Sequence, residues 1–262
     1  MFDAKALLND YGPCALITGA SSGIGLALAT NLASAGFNLV LAARRTERLQ
    51  SLATHLTQQH AVDVVVLPTD LAELAQLDEL LSATRNLDIG LVISNAGFST
   101  KGEFSAVDRA QMLAMLQVNC QAPLVLAHGF IPRLQQRQSA GIIFTSSVEA
   151  LLGCPYSTAY SATKALVKNL GEGLWAELKE HNIDVLTLCP GATDTEALSN
   201  SGLDASKMTN VMSADEVAKR TLANIKNGPV FISSPHYQQL FEQLTALPRE
   251  QALLAMAKNM RP

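Results

Sequence analysis

Between Ser147 and Lys164 the chain reads SVEALLGCPYSTAYSATK, and three of these side chains have the types needed to move a proton. They are the Ser147 hydroxyl, the Tyr160 phenol and the Lys164 ammonium. Tyr160 and Lys164 are four apart in a run from Ser157 onward that reads as helix, with apolar Ala165, Leu166, Leu170, Leu174 and Leu178. On a helix, residues at i and i+4 share one face, with Cβ atoms about 5–6 Å apart. An ammonium there is expected to favour phenolate over phenol and to pull the tyrosine below its ordinary pKa of about 10. That would make the phenol a usable acid and base near neutral pH. Many helices carry such a pair by chance, so its meaning depends on what precedes it.

Near the N-terminus stands LITGASSGIGLALA. A short apolar run, Ala15-Leu16-Ile17, enters Thr18-Gly19, and Gly23-Ile24-Gly25 opens an amphipathic helix. Glycines after a strand let the backbone turn tightly and approach a diphosphate, while the helix start supplies N–H groups and a positive dipole end. The spacing is GxxxGxG, not the commoner GxGxxG.

The elements that must position these groups follow in alternation. Strands are expected at Cys14 to Ile17, Phe37 to Ala43, Val62 to Leu67, Ile89 to Ser94, Gly141 to Thr145, Ile183 to Leu188 and Val230 to Ser233. Helical patterns lie between them, including one from near Asp108 to about Leu134 with Asn119 inside it, and one started by a Ser213–Glu216 capping box. Apolar strands alternating with helices predict an α/β fold, a parallel sheet of about seven strands with helices on both faces. One domain spanning 1–262 is expected, ending in a helical tail from about 236.

Composition narrows the function. The chain has 262 residues, 48% hydrophobic, with a net charge of −4 and a mean hydropathy of +0.17; these suit a globular domain with a sizeable core. A pI near 5.7 and the lack of a long basic run argue against nucleic acid. Cys14, Cys120, Cys154 and Cys189 are far apart, with no CxxC and no histidine at metal spacing, so they read as buried reduced thiols and no metal is expected. The first residues lack the apolar core of a signal peptide. No segment approaches the roughly 18 apolar residues of a membrane span. A cytoplasmic protein is the expectation.

Taken together, Thr18 to Gly25, Asp70-Leu71, Asn95-Ala96-Gly97, Asn119, Ser146-Ser147, Tyr160 to Lys164 and Pro190-Gly191 resemble the short-chain dehydrogenase/reductase family, in order and at its usual separations. The resemblance implies a Rossmann-type doubly wound sheet. It implies cofactor contacts from Gly19, Ser21, Ser22, Gly23, Ile24, Gly25, Asp70, Leu71, Asn95, Ala96, Gly97, Tyr160 and Lys164. It adds Pro190, Gly191, Thr193 and Thr195 at the nicotinamide. Asp70 matches the residue that meets the adenine, or else caps the next helix. Asn119 matches a residue that disrupts its helix and binds a water reaching the lysine; otherwise it is a solvent-facing polar residue. Ser147 is the expected catalytic serine and its rival Ser146 a structural one. Ser94 replaces the family's first asparagine, which bears on strand bracing.

Arg44 and Arg45 stand where NAD-binding folds place an acid, about 20 residues after the glycines. The missing acid and the two guanidiniums point to the 2′-phosphate of NADP(H), with Ser21 or Ser22 adding a hydroxyl; the plain alternative is a solvated pair capping a strand end. The expected activity is therefore an NADP(H)-dependent interconversion of a small-molecule carbonyl and an alcohol, with Asn119, Ser147, Tyr160 and Lys164 as the catalytic set. Two alternatives stay open: a family member with an epimerase or dehydratase reaction, and a non-catalytic NADP-sensing regulator. Where the family runs on with small residues after the serine, this chain has Val148-Glu149-Ala150. Glu149, Cys154 and Tyr156 are expected at the substrate, with 196–210 as a lid, unless Glu149 faces solvent or pairs with a lysine. Family helices matching those near Asp108 and Ser157 pair across a two-fold axis, implying a homodimer or homotetramer.

Overall fold

The computed structural model describes residues 2–200 and 205–260. Helix α1 (Ala4–Tyr11) leads into β1 (Cys14–Thr18), α2 (Gly23–Ser34), β2 (Asn38–Ala43), α3 (Thr46–His60), β3 (Val64–Pro68), α4 (Leu74–Ala83) and β4 (Ile89–Ser94). Next come α5 (Arg109–Leu116), a π-helical turn (Gln117–Gln121), α6 (Ala122–Leu134), β5 (Ala140–Thr145), α7 (Thr158–Glu177) and β6 (Ile183–Cys189). The remainder is β7 (Thr193–Asp194), α8 (Glu196–Asn200), β8 (Met212–Ser213), α9 (Ala214–Ala223), β9 (Val230–Ile232), α10 (Pro235–Ala246) and α11 (Arg249–Met260). The expected strand bounds lie within two residues of these.

Seven strands pair in parallel in the order β3-β2-β1-β4-β5-β6-β9. Successive side chains of a strand point to opposite faces, and both faces are covered here. Ala15 and Ile17 of β1 join Leu28, Leu49 and Ala218 from α2, α3 and α9. Cys14 and Leu16 join Leu77, Phe130 and Val167 from α4, α6 and α7. This double cover explains the unbroken apolar runs of the central strands. The chain winds one way from β1 to β3 and the other way from β4 onward. A crevice therefore opens at the carboxyl ends of β1 and β4, where such sheets bind ligands.

Ser213 caps α9 by accepting from Glu216 N at 3.1 Å. Only half of the expected box forms, because the Glu216 carboxylate pairs with Arg220 instead. The expected lid segment begins as α8 and resumes in a short 3-10 turn, Ala205–Lys207; residues 201–204 lie outside the described residues, as do 261–262 of the tail. Helices α10 and α11 seat Phe241, Ala252 and Met256 against Val148, Leu152 and Cys189, behind the carboxyl ends of β5 and β6. Among the described residues, no helix is long and apolar enough to cross a membrane.

Candidate active site

Helix α7 starts at the mouth of the crevice and carries Tyr160 and Lys164 on one face. Lys164 is 3% exposed. Its Nζ donates to Thr145 O, at the end of β5, at 2.9 Å and lies over the Tyr160 ring, 5.7 Å from its centroid. Burial of the ammonium pulls Lys164 down to about 8, against an opposing pull from Cys120 and Cys189. The expected lowering of Tyr160 is not found. Burial raises the phenol above its ordinary range, the Glu149 carboxylate adds to the rise, and a hydrogen bond with Ser147 works against it. The ammonium lies over the ring face and is tied to a backbone carbonyl, so desolvation outweighs it.

The two serines make different contacts. Ser146 donates to Lys164 O at 2.7 Å and so pins α7 to β5. Ser147 accepts from Glu149 N at 3.2 Å and is the serine that draws the Tyr160 pKa down. Asn119 is buried inside the π-helical turn, which is the disruption the resemblance implied. Its amide donates to Phe98 O at 2.9 Å and Thr163 Oγ1 at 3.0 Å, and accepts from Phe98 N at 3.1 Å. The solvent-facing alternative is thereby excluded. A Cβ on Gly97 would stand 3.0 Å from both Asn119 Oδ1 and Lys164 Nζ, tight enough that these side chains would have to shift.

On the other side of the crevice, Gly23 turns the loop after β1 with φ +56, a conformation that favours glycine. Thr195 leans over it, its Cγ2 3.1 Å from where a Cβ would stand. Arg45 donates to Ser21 Oγ at 2.9 Å and Ser22 Oγ at 2.6 Å. Its other arm meets Glu196 Oε2 at 2.6 Å, while Arg48 meets Glu196 Oε1. The two guanidiniums hold the Glu196 carboxyl below the usual range. The expected Arg44–Arg45 pair therefore divides: Arg44 is exposed and makes none of these contacts. Arg48 on α3, one turn beyond Arg44, joins Arg45 at Glu196, and no spacing in the sequence singles it out. One carboxylate shared by two guanidiniums beside the glycine loop stands in for an anionic group, so the donor set fits the phosphate of a dinucleotide.

Other expected cofactor residues turn out to brace the crevice. Asn95 donates to Thr18 O at 3.0 Å and accepts from Thr145 Oγ1 at 3.1 Å, tying β1, β4 and β5 together; this supplies the bracing that Ser94 had put in question. Asp70 accepts from Ala72 N at 3.1 Å and closes a turn; it does not cap the next helix, since α4 starts at Leu74 with Glu73 at its N-cap. Leu71 is buried in the core among Leu77 and Leu80, and Ile24 packs beside Val217. Thr193 donates to Gly191 O at 3.0 Å and Thr195 to Thr193 O at 3.3 Å, so both hydroxyls shape the turn after Pro190.

On the substrate side, Cys154 is 1% exposed and sits with Val148, Leu152 and Phe241. It is core, correcting the expectation that it meets substrate, because its loop folds back over α10. Tyr156 is half-buried at φ +60 and its carbonyl accepts from Gly102 N at 2.8 Å. Tyr237 of α10 was not expected. Its ring lies so close to Gly191 that any Cβ there would collide with it, and its phenol feels the Glu149 charge. No sequence signal marked it, since α10 reaches the site only through tertiary packing. Among the described residues, no group of side chains could hold a metal ion.

The sequence pattern of the short chain dehydrogenase family matches residues 13–206. The 7beta-hydroxysteroid dehydrogenase of Clostridium sardiniense is 28% identical over 249 residues, 95% of each chain. A solved short-chain dehydrogenase from Sphingobium yanoikuyae, in complex with NADPH, is 33% identical with a TM-score of 0.83, covering 93% of this chain and 95% of its own. The bulky-bulky ketone specific alcohol dehydrogenase from Comamonas testosteroni is 31% identical with a TM-score of 0.78, over 93% and 94% of the two chains.

Proposed function

The chain belongs to the short chain dehydrogenase family, and on that premise we propose that it is an NADP(H)-dependent oxidoreductase interconverting a ketone or aldehyde and its alcohol. The observation that carries this reading is the Tyr160 ring set against the buried Lys164 ammonium at the carboxyl end of β5, with Ser147 drawing the phenol's pKa down. When bound, the nicotinamide cofactor supplies or accepts the hydride. Ser147 holds and polarises the carbonyl oxygen. Tyr160 donates its proton to that oxygen in reduction and takes one back in oxidation. Lys164 spends one of its N–H donors on Thr145 O; the others serve the phenol and the cofactor ribose. Asn119 is a positioning residue, holding Phe98 and Thr163 on either side of that lysine.

Arg45, Arg48, Ser21 and Ser22 would hold the 2′-phosphate, and the relative in complex with NADPH supports that preference. The hydroxysteroid and bulky-ketone relatives support a medium-sized, largely apolar carbonyl substrate. Four buried, unpaired thiols support a reducing, cytoplasmic setting. The test is NADPH oxidation against a panel of aldehydes, ketones and 3-oxoacyl thioesters. Turnover of bulky ketones, abolished in Tyr160→Phe, is expected. Tight NADPH binding with no turnover of any carbonyl would favour the NADP-sensing regulator instead.

A further inference from the structure

Glu149 lies in the 3-10 turn Val148–Ala150, directly after Ser147, and its side chain is 16% exposed. Oε1 is 3.5 Å from Lys101 Nζ. Oε2 is buried and has no hydrogen-bond partner among the described residues. A buried carboxylate oxygen without a donor is costly, so such groups are seldom left unsatisfied. This carboxylate acts electrostatically on Tyr160 of α7, on Cys154 and on Tyr237 of α10. The Glu149 backbone is fixed beside the catalytic serine, since Glu149 N donates to Ser147 Oγ at 3.2 Å. The loop that carries Lys101 is tied down next to it, since Gly102 N donates to the carbonyl of Tyr156 at 2.8 Å, and Tyr156 keeps a left-handed backbone that a bulky residue adopts only under constraint.

We propose that Oε2 of Glu149 accepts a hydrogen bond from a hydroxyl group of the substrate, so that the preferred substrates are hydroxyketones whose hydroxyl and carbonyl reach Glu149 and Tyr160 together. Lys101 decides between donors. It already balances the carboxylate charge, so a neutral hydroxyl fits where a substrate ammonium would face a second cation. The inference rests on the carbonyl-reduction reading and names the substrate class for it.

The test compares cyclic ketones with matched hydroxy and amino derivatives. The wild-type protein is expected to favour the hydroxyketone over the plain ketone by about tenfold or more in kcat/KM, mostly through KM, as suits a bond to a charged acceptor. Glu149→Leu should bring the ratio near one, and Glu149→Gln, which keeps a neutral acceptor, should leave it between. An unchanged ratio in both variants overturns the proposal, as does a wild-type preference for the aminoketone. The second readout needs no turnover. The Tyr160 phenol, faced by Glu149, Cys154, Cys189 and Lys164, should titrate at lower pH in Glu149→Gln than in wild type, followed by ultraviolet absorbance against a Tyr160→Phe blank. No shift means that Glu149 does not border the site. If no carbonyl turns over yet the phenol shifts, the reaction reading fails by itself, and calorimetric binding of the hydroxylated and plain ketones decides the hydroxyl contact.

Discussion

Tyr160 must hold a proton for reduction and lack one for oxidation, and its surroundings set the pH at which each form prevails. Burial and Glu149 raise its pKa while Ser147 opposes them. A raised pKa keeps the phenol protonated to higher pH, so reduction should hold steady through neutrality and decline only in the alkaline range. Oxidation, which needs the phenolate, should climb with pH over the same interval. Lys164 loses its charge as pH passes about 8, which withdraws support for the phenolate and flattens that climb. Initial rates in both directions across pH 6 to 10 (a range of roughly ordinary buffers) check this; an oxidation rate falling with pH refutes it. Tyr160→Phe should lower turnover at least about a hundredfold with NADPH affinity retained, measured by calorimetry. For the cofactor, Arg45→Ala should weaken NADPH binding about tenfold or more, the worth of a charge-assisted phosphate contact, and leave NADH unaffected. Arg44→Ala should change neither affinity.

At the scale of elements, two junctions set the site. The first is the π-helical turn between α5 and α6, which turns the Asn119 side chain toward Phe98 and Thr163. Asn119→Ala would leave the part-buried N–H and C=O of Phe98 without the Asn119 amide, at about 1–3 kcal/mol. The expected results are a lower urea midpoint with an unchanged slope, and a loss of kcat larger than the loss of cofactor affinity, because Lys164 lies against the same loop. The second junction is Glu196, which ties α8 to α3 through Arg45 and Arg48. Because a 2′-phosphate would need the same guanidiniums, Glu196→Gln should raise NADPH affinity relative to NADH. The gain should be no more than about fivefold, since exposed pairs are worth roughly 1 kcal/mol or less. A drop in that ratio would show that Glu196 clasps the cofactor, not that it competes with it.

The whole molecule leaves apolar surface on one flank. Leu113 is 54% exposed, with Leu116, Leu124 and Leu166 also exposed on α5, α6 and α7. Leu113, Leu116 and Leu124 border an open cleft of about 580 Å³. Contiguous exposed leucines on neighbouring helices are costly in water, and a two-fold pairing would cover both copies at once. Light scattering should therefore give a multiple of the 27.9 kDa chain mass, and the double variant Leu116→Glu, Leu124→Glu should reduce it to one chain. A wild-type monomer at micromolar concentration would refute the pairing.

Local pattern determined much of this protein. Alternating apolar strands and amphipathic helices specify a doubly covered parallel sheet, because each element must bury its own apolar face. The glycine loop and the Tyr160–Lys164 pair were legible from short, fixed spacings along one element, whereas Asn119 and Ser147 were marked by the family resemblance. Side-chain direction in loops and contacts between distant segments carry no such period. That is why Arg45 reaches Ser21 and shares Glu196 with Arg48, why Cys154 is core, and why Tyr237 closes over Gly191. It is also why the Tyr160 pKa rises where an i,i+4 lysine predicted a fall. Helix spacing places the ammonium near the phenol, but only packing decides how much water is removed from both, and here desolvation is the larger effect.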